Sequence, residues 1–221
     1  MSYSSAVTLA LVWALWTGRS FQSAESHSAN LSQTEVESVP KIVNSSPAGV
    51  LPPLPAENVA SLRNPIRIGG VEVTPLEIVV TRLDLVRSID PADWRREKSA
   101  SLVIRLKLKN ISANDTFAPL EPHFVREQAL TPDRSTIATS SGQGINLFPL
   151  AVDSEWSIVG QDFTVLQPGE SVETLIASEP EVAAKLTDDM TWRVRLRIGP
   201  YRTDVLGVRF KMDDLEDGSI R

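Results

Sequence analysis

Residues 101–110, SLVIRLKLKN, alternate apolar and cationic side chains with a period of two. The apolar positions on one side of this stretch are Leu102, Ile104, Leu106 and Leu108. The positions on the other side are Val103, Arg105, Lys107 and Lys109. This alternation is typical of an antiparallel β-strand that packs one face on a core and exposes the other face to water. We therefore predict a strand whose leucine-rich face is buried.

The same pattern returns in residues 191–200, TWRVRLRIGP. Its apolar side holds Trp192, Val194, Leu196 and Ile198, and its cationic side holds Arg193, Arg195 and Arg197. Two interpretations of the cations in the two stretches stay open. In the first interpretation, the cations are the solvated faces of two strands. In the second, both strands share one sheet with the strand expected at 204–212. The cations then form one face that binds an anionic polymer, a carboxylate-rich glycan or a lipid headgroup. Acidic residues on neighbouring strands, such as Asp84 or Glu173, would cancel much of that charge.

Turn signals divide the rest of the second half into short segments. Residues 66–74, IRIGGVEVT, predict a tight hairpin about Gly69 and Gly70. The sequence QPGE at 167–170 predicts a turn before another strand. Residues 90–94 predict a turn or a brief helix.

One helix signal stands out, in residues 178–186, SEPEVAAKL. Ser178 is placed to cap the helix, and Glu181 follows three residues later. Many short strands, one short helix and no alternation of strands with helices predict an all-β protein. We expect an immunoglobulin-like antiparallel β-sandwich, with a long excursion at 113–162.

Four segments are predicted from the change in composition along the chain. Residues 1–24 are expected to be a signal peptide or membrane anchor, and residues 25–64 a disordered linker rich in Ser, Asn and Pro. Residues 65–212 are expected to form the sandwich, followed by an acidic tail at 213–221. The proline cluster PPLP at 52–55 is interpreted as part of the linker.

The N-terminal signal is an uncharged apolar run at residues 6–16. A helix that spans a bilayer needs about 20 apolar residues, whereas the core of a secretory signal takes about 7 to 15. We therefore expect export to the periplasm, the cell envelope or the outside of the cell. Attachment to the membrane through residues 6–16 and a soluble cytoplasmic chain are the alternatives. Cleavage is expected after Ala24, so that the mature chain begins at Glu25.

Composition excludes several classes of function. The formal net charge of −6 and the isoelectric point near 5.1 argue against a nucleic-acid-binding protein, which needs a basic surface. The chain has no cysteine, which excludes disulfides, thiolate catalysis and zinc–thiolate sites. No pattern for a cofactor is found, and no cofactor is expected.

Catalysis and metal binding have little support in the sequence. His123 is the one histidine of the predicted sandwich and would have to act as the base of a hydrolase, yet the chain has no Gly-x-Ser-x-Gly motif. Glu121 and His123 lack the spacing of a metal site, and residues 213–218 fail as a calcium loop. We predict that the protein is not an enzyme, and a hydrolase centred on His123 is retained as an alternative.

The stretches SLVIRLKLKNIS, FAPLEPHFVR, LQPGESVETLIAS and WRVRLRIG together resemble a family of bacterial exported domains of unknown function. In that family a strand ending in Asn precedes a loop with a Phe, and a Leu-x-Pro-Gly-Glu turn leads into a strand. The resemblance covers about 65–212 and implies a telokin-like, immunoglobulin-type sandwich. It implies an envelope or extracellular interaction module with no catalytic residues. We expect this sandwich to bind another envelope component. A sandwich that binds an anionic ligand through its Arg/Lys face is the first alternative.

Overall fold

The computed structural model describes residues 51–126, 135–140 and 144–217. Eleven strands lie in these ranges, with one short α-helix, α1 (Pro122–Val125), and three 3-10 turns. The strands are β1 (Val59–Ser61), β2 (Ile66–Ile68), β3 (Val71–Arg87), β4 (Asp90–Asn110), β5 (Thr136–Thr139), β6 (Gly144–Ile145), β7 (Trp156–Ile158), β8 (Ser171–Pro180), β9 (Met190–Gly199), β10 (Arg202–Phe210) and β11 (Leu215–Asp217). The predicted all-β sandwich is confirmed.

The strands form two sheets. The five-stranded sheet has the order β1-β10-β9-β5-β6. The six-stranded sheet has the order β11-β3-β4-β8, and β2 and β7 also pair with β3. Most neighbours are antiparallel, but β1 runs parallel to β10 and β11 runs parallel to β3. The strands β2, β11 and β7 follow one another along the side of β3 that β4 leaves open.

The predicted hairpin at Gly69 and Gly70 is confirmed. Ile68 lies opposite Val71, and Gly69 has a φ of 54°, a left-handed conformation that glycine adopts without steric cost. A Cβ atom at Gly69 would approach the carbonyl oxygen of Ile198 to 2.8 Å. The hairpin therefore packs directly against the end of β9, where Gly70 N donates a hydrogen bond to Ile198 O at 2.8 Å.

The main core lies between the two sheets, as the period of two predicts. Ile104 and Leu196 are both completely buried. The other fully buried members of this inner cluster on β4, β9 and β10 are Leu102, Leu106, Leu108, Trp192, Val194, Leu206 and Val208. Their cationic neighbours point to the outer faces of the sheets, because successive side chains of a strand point in opposite directions.

A second cluster covers part of the outer face of the six-stranded sheet. It contains the buried residues Val79, Leu83, Leu85, Val103, Phe148, Leu150, Ile158, Leu175 and Ala177. Residues 148–158 of the excursion therefore provide a cover for this sheet. We call this set the outer cluster.

The hairpin of β3 and β4 extends beyond the rest of its sheet. β8 pairs with β4 only from Ser101 to Lys109, so residues 83–99, which we call the arm, have β7 as their other paired strand. The turn of the hairpin lies at residues 88–89, and residues 90–94 belong to β4 rather than to a turn or helix. Leu85 is fully buried in the outer cluster, which holds one face of the arm in place.

Residues 51–61 cross the outer face of the five-stranded sheet, and we call them the strap. The strap ends in a 3-10 turn (Ala56–Asn58) and in β1, and Ala60 is 4% exposed. These residues were predicted to belong to a disordered linker at 25–64, of which residues 25–50 lie outside the described residues. They are ordered because β1 pairs with β10, a contact that sequence composition does not reveal.

Two further expectations need correction. The helix predicted from Ser178 is a 3-10 turn, Val182–Lys185, and Ser178 lies within β8. The Ser178 hydroxyl accepts a hydrogen bond from Leu102 N at 2.9 Å. It therefore links β8 to β4 and does not cap a helix. In the predicted acidic tail, residues 215–217 form β11 beside β3, because Leu215 packs against the inner cluster.

Candidate interaction surfaces

The cations of β4 lie on the outer face of the six-stranded sheet, among acidic neighbours. Arg105 is 3.1 Å from a carboxylate oxygen of Glu77 on β3. Lys107 lies directly opposite Glu173 on β8. Lys109 lies opposite Glu72, whose carboxylate also pairs with Arg67 at 2.8 Å. Acidic residues thus alternate with the cations on this face, and they cancel much of the field that the sequence pattern predicts.

The cations of β9 lie on the outer face of the five-stranded sheet. Arg193 is 6% exposed, and its Nη1 donates a hydrogen bond to Pro52 O in the strap at 2.7 Å. Burial lowers the pKa of Arg193. Arg195 donates to Thr203 Oγ1 at 3.2 Å, and its guanidinium lies 5.0 Å from the ring centroid of Phe124. Both side chains therefore hold other segments against the sheet.

Arg197 joins a small polar cluster with Glu121 and His123. It forms a salt bridge with Glu121 Oε1 and donates to Pro200 O at 2.8 Å. His123 Nε2 lies 3.2 Å from the other carboxylate oxygen of Glu121, and its ring packs edge-on against Phe124. The carboxylate of Glu121 therefore bridges β9 and α1.

The two sets of cations do not share a sheet. Arg105, Lys107 and Lys109 are on β4 in the six-stranded sheet, whereas β9 and the strand at 204–212 are in the five-stranded sheet. Both outer faces point away from the common core, so the six candidate residues lie on opposite sides of the sandwich. The single cationic face that the sequence left open is not formed.

A hydrolase site around His123 has limited geometric support. A serine hydrolase needs a hydroxyl within hydrogen-bond reach of its histidine base, and the polar partner of His123 in the described ranges is the carboxylate of Glu121. The same ranges contain no cluster of His, Asp or Glu that could hold a metal ion. No helix within them is long and apolar enough to cross a bilayer. The apolar run at 6–16 lies outside the described residues.

The tip of the arm exposes two large apolar side chains. Ile89 in the hairpin turn is 71% exposed, and Trp94 in the following strand is 61% exposed. Trp94 lies opposite Val86. The opposite face of the arm carries Leu85 and Arg95, and the guanidinium of Arg95 lies 4.5 Å from the ring centroid of Trp156. Trp94 and Ile89 therefore lie on a hairpin whose opposite face is packed against other residues of the sandwich.

The charged residues at the tip are paired with one another. Arg87 contacts Glu155 at 2.6 Å and Asp93 at 3.6 Å, and the hydrogen bond to Glu155 raises the pKa of Arg87. Arg96 donates two hydrogen bonds to the carboxylate of Asp84, at 2.6 and 2.8 Å. The hydrogen bond from Arg96 lowers the pKa of Asp84. Trp94 and Ile89 thus lie near two sets of ion pairs, in which each arginine is neutralised by a carboxylate.

The open edge of the arm is poorly suited to pairing with another strand. The register between β3 and β4 shifts between Arg82 and Asp84 and again between Val86 and Arg87. Pro91 lies on this edge, and residues 95–98 are all charged. Register shifts, proline and charge on an edge strand all oppose edge-to-edge association. Contacts with another molecule at the arm are therefore expected to use side chains.

Sequence reasoning missed both the strap and the tip. The strap has the composition of a linker, and its contacts with Arg193 and Gly207 join positions more than 100 residues apart. For the tip a signal was available, since Ile89 and Trp94 are the two large apolar residues in a stretch otherwise crowded with charge. Charged residues at Arg87, Arg96 and Lys98 separate them from the apolar alternation that leads into the core, a pattern that favours an exposed position.

Comparisons with known proteins add one structural likeness. No protein-family model matches the chain, and no curated protein matches it. An uncharacterized β-sandwich protein from Clostridium difficile 630, solved as a crystal structure, aligns with 73% of this chain and 99% of its own, at 13% identity and a TM-score of 0.37. The two packed sheets described above carry the fold assignment. The chain contains a β-sandwich domain.

Proposed function

We propose that this chain is an exported, non-enzymatic binding module that recognises another protein of the cell envelope through the tip of its arm. The observation that carries the proposal is the exposure of Trp94 and Ile89 at 61% and 71%. Single apolar side chains on a protein surface are common. Here two of them lie within six residues at the end of a supported hairpin, with ion pairs around them.

The chemistry of the tip favours a protein partner with an apolar pocket. Tryptophan is enriched among the residues that dominate binding energy at protein interfaces, where it fills a pocket and a polar rim excludes water. The paired charges of Arg87 with Glu155 and of Arg96 with Asp84 supply such a rim. Because these charges are already compensated, neither ion pair leaves a free cation that would attract an anion.

A lipid surface and an anionic polymer fit the tip less well. Asp90 and Asp93 lie shortly before Trp94 and are exposed, so insertion of the tip would bring carboxylates to the headgroups of the bilayer. The four arginines proposed for an anionic ligand are engaged elsewhere, as with the strap over Arg193. The two lysines, Lys107 and Lys109, lie opposite carboxylates on neighbouring strands. These contacts favour a protein partner over both alternatives.

The location of the protein is part of the proposal and rests on the sequence. The apolar run at 6–16 has the length of a signal core, and the resemblance to exported domains with a telokin-like sandwich points the same way. Cell fractionation followed by N-terminal sequencing tests this part. We expect envelope or extracellular protein that begins near Glu25; soluble cytoplasmic protein that retains residues 1–24 would refute export.

The binding role is tested by photo-crosslinking in cells. A photoreactive phenylalanine analogue replaces Trp94 in one variant and Tyr201 in a matched control. Tyr201 is 96% exposed in the turn between β9 and β10, which lies beside the start of β3 because Gly70 N contacts Ile198 O. The two positions are therefore separated by most of the length of β3, about 50 Å at 3.4 Å per residue.

We expect a discrete protein adduct from position 94 and none from position 201. Purified wild-type protein should compete for this adduct, whereas Trp94→Ser should not. Thermal unfolding of Trp94→Ser should match the wild type, because the side chain is largely in water. Equal adducts at both positions, or competition by Trp94→Ser as strong as by the wild type, would remove the tip from the binding site. Loss of competition on replacing Lys107 and Lys109 would support the anionic-ligand alternative instead.

A further inference from the structure

The strap lies on a surface made almost wholly by β9 and β10. Arg193 Nη1 donates to Pro52 O at 2.7 Å, and Asn58 Nδ2 donates to Val205 O at 3.4 Å. Leu54 lies over Gly207, where a Cβ atom would come within 2.6 Å of Leu54 Cδ1. A glycine in a strand interior weakens the strand unless another group needs the space. Gly207 therefore leaves space for the leucine of the strap. We call the surface of β9 and β10 that contacts the strap, including Arg193, Val205 and Gly207, the seat.

β1 completes this docking by pairing with the edge of the sheet. Val59, Ala60 and Ser61 lie opposite Gly207, Val208 and Arg209 in parallel register. The strap thus occupies its seat through one short strand, a leucine contact and two side-chain hydrogen bonds. A strap from any copy of the chain would meet the same seat, because the seat contains no residue of the strap itself.

The connection between strap and sandwich is short and strained. Residues 62–65 carry the chain from β1 in one sheet to β2 in the other. Within them Arg63 has a φ of 64°, a left-handed conformation that is costly for a residue other than glycine. Arg63 N donates to Pro75 O at 2.6 Å, and the Arg63 side chain pairs with Glu216 on the surface. An extended connection would release the strain at Arg63.

We propose that the strap also docks in trans, so that two copies of this chain form a dimer by exchanging residues 51–61. Each seat then holds the strap of the other copy, and every contact of the strap is kept. Short hinge segments under strain favour such exchange, and exchange of an identical element is a low-cost route to a two-fold dimer. The dimer would present two arms, which raises apparent affinity for a partner that displays two binding sites. The exchange itself does not depend on what the arm binds.

A disulfide placed across β1 and β10 distinguishes the two states. The chain has no cysteine of its own, so the variant Ser61→Cys/Arg209→Cys carries a single pair, at positions that face each other and are exposed. In a closed monomer the bond joins one chain to itself. In the exchanged dimer it joins two chains, which run as a covalent dimer on a non-reducing gel.

The full-length variant is separated into monomer and dimer by gel filtration over a series of concentrations, and each fraction is oxidised. We expect the dimer fraction to grow with concentration and to give covalent dimers, while the monomer fraction gives internally bridged chains. A dimer fraction with only internal bridges would overturn the proposal, because the copies would then associate through another surface. Monomer alone over the whole series would overturn it as well.

Two substitutions at the hinge provide a second test. Arg63→Gly removes the strain of the left-handed conformation from the closed monomer and should lower the ratio of dimer to monomer about tenfold. Arg63→Ala is the matched control, since it removes the ion pair with Glu216 and keeps the strain. A ratio that falls equally in both variants would assign the effect to the ion pair and contradict the role of the hinge.

Discussion

The substitution Gly207→Ala tests whether Leu54 occupies the space above β10. In the wild type the new Cβ atom would meet Leu54 Cδ1 at 2.6 Å and Thr191 Cγ2 at 3.0 Å. The leucine must move, and overpacking of this kind costs about 1–3 kcal/mol. Leu54 Cδ1 is the end of a flexible side chain, and Leu54 is half-buried, so we expect a loss of about 1–2 kcal/mol in the free energy of unfolding.

The destabilisation by Gly207→Ala should disappear when Leu54 is replaced by alanine. Leu54→Ala alone should cost about 1 kcal/mol, because it removes a half-buried leucine side chain. In that background Gly207→Ala meets no leucine, and alanine in a strand is favoured over glycine by roughly 0.5–1 kcal/mol. We therefore expect Gly207→Ala to be neutral or slightly stabilising there, with a coupling energy of about 2 kcal/mol between the two sites.

Urea unfolding followed by tryptophan fluorescence measures these differences, since Trp192 is fully buried in the core. Gly199→Ala is the matched control, because a Cβ atom at this position of β9 meets nothing within 4 Å; it should be neutral or slightly stabilising. Equal destabilisation by Gly207→Ala with and without Leu54 would show that Thr191 limits the space. The close contact between Leu54 and Gly207 would then be wrong.

Three further substitutions test other contacts. Asn110→Ala should lower the free energy of unfolding by about 3 kcal/mol, since the buried amide makes four hydrogen bonds that hold residues 112–115 and 166. A loss below about 1 kcal/mol in urea unfolding would contradict this role of the Asn110 amide. Asp84→Asn should cost about 0.5 kcal/mol at neutral pH because the pair with Arg96 is partly exposed. The folded pKa of Asp84 lies below its unfolded value of about 3.9. The stability difference between the wild type and Asp84→Asn should therefore hold above pH 4 and disappear as the pH falls through the folded pKa. A stability difference that grows in acid would refute the lowered pKa of Asp84. Glu121→Gln should cost about 1–2 kcal/mol by leaving Arg197 without its carboxylate, and equal stability in thermal unfolding would show that the salt bridge is not needed.

The sequence predicts the parts of this fold that repeat locally. The period of two in residues 101–110 and 191–200 identifies the buried faces correctly, and Gly69 and Gly70 mark the first hairpin. Such signals depend on neighbours along the chain, so composition and spacing record them. The helix at 178–186 is mispredicted because the capping hydroxyl of Ser178 bonds instead to β4, a partner 76 residues away.

The candidate sites depend on contacts that are distant in sequence. Alternation predicts that Arg105 and Arg193 face outward, but it does not tell which sheet contains each strand or what covers the outer faces. Arg193 is covered by Pro52, which lies 141 residues earlier in the chain. Trp94 is exposed because the arm continues past β8, and the length of one strand relative to another is set by tertiary pairing.

The outer cluster separates two tasks within one hairpin. Leu83 and Leu85 fix the arm from behind, while Trp94 and Ile89 face water and contribute little to folding. Most surface substitutions change stability by less than about 0.5 kcal/mol, so the residues at the tip can diverge without bringing the domain closer to unfolding. In the binding role proposed for the tip, one scaffold of this kind acquires new specificities through substitutions at a few positions, while its leucines stay under constraint.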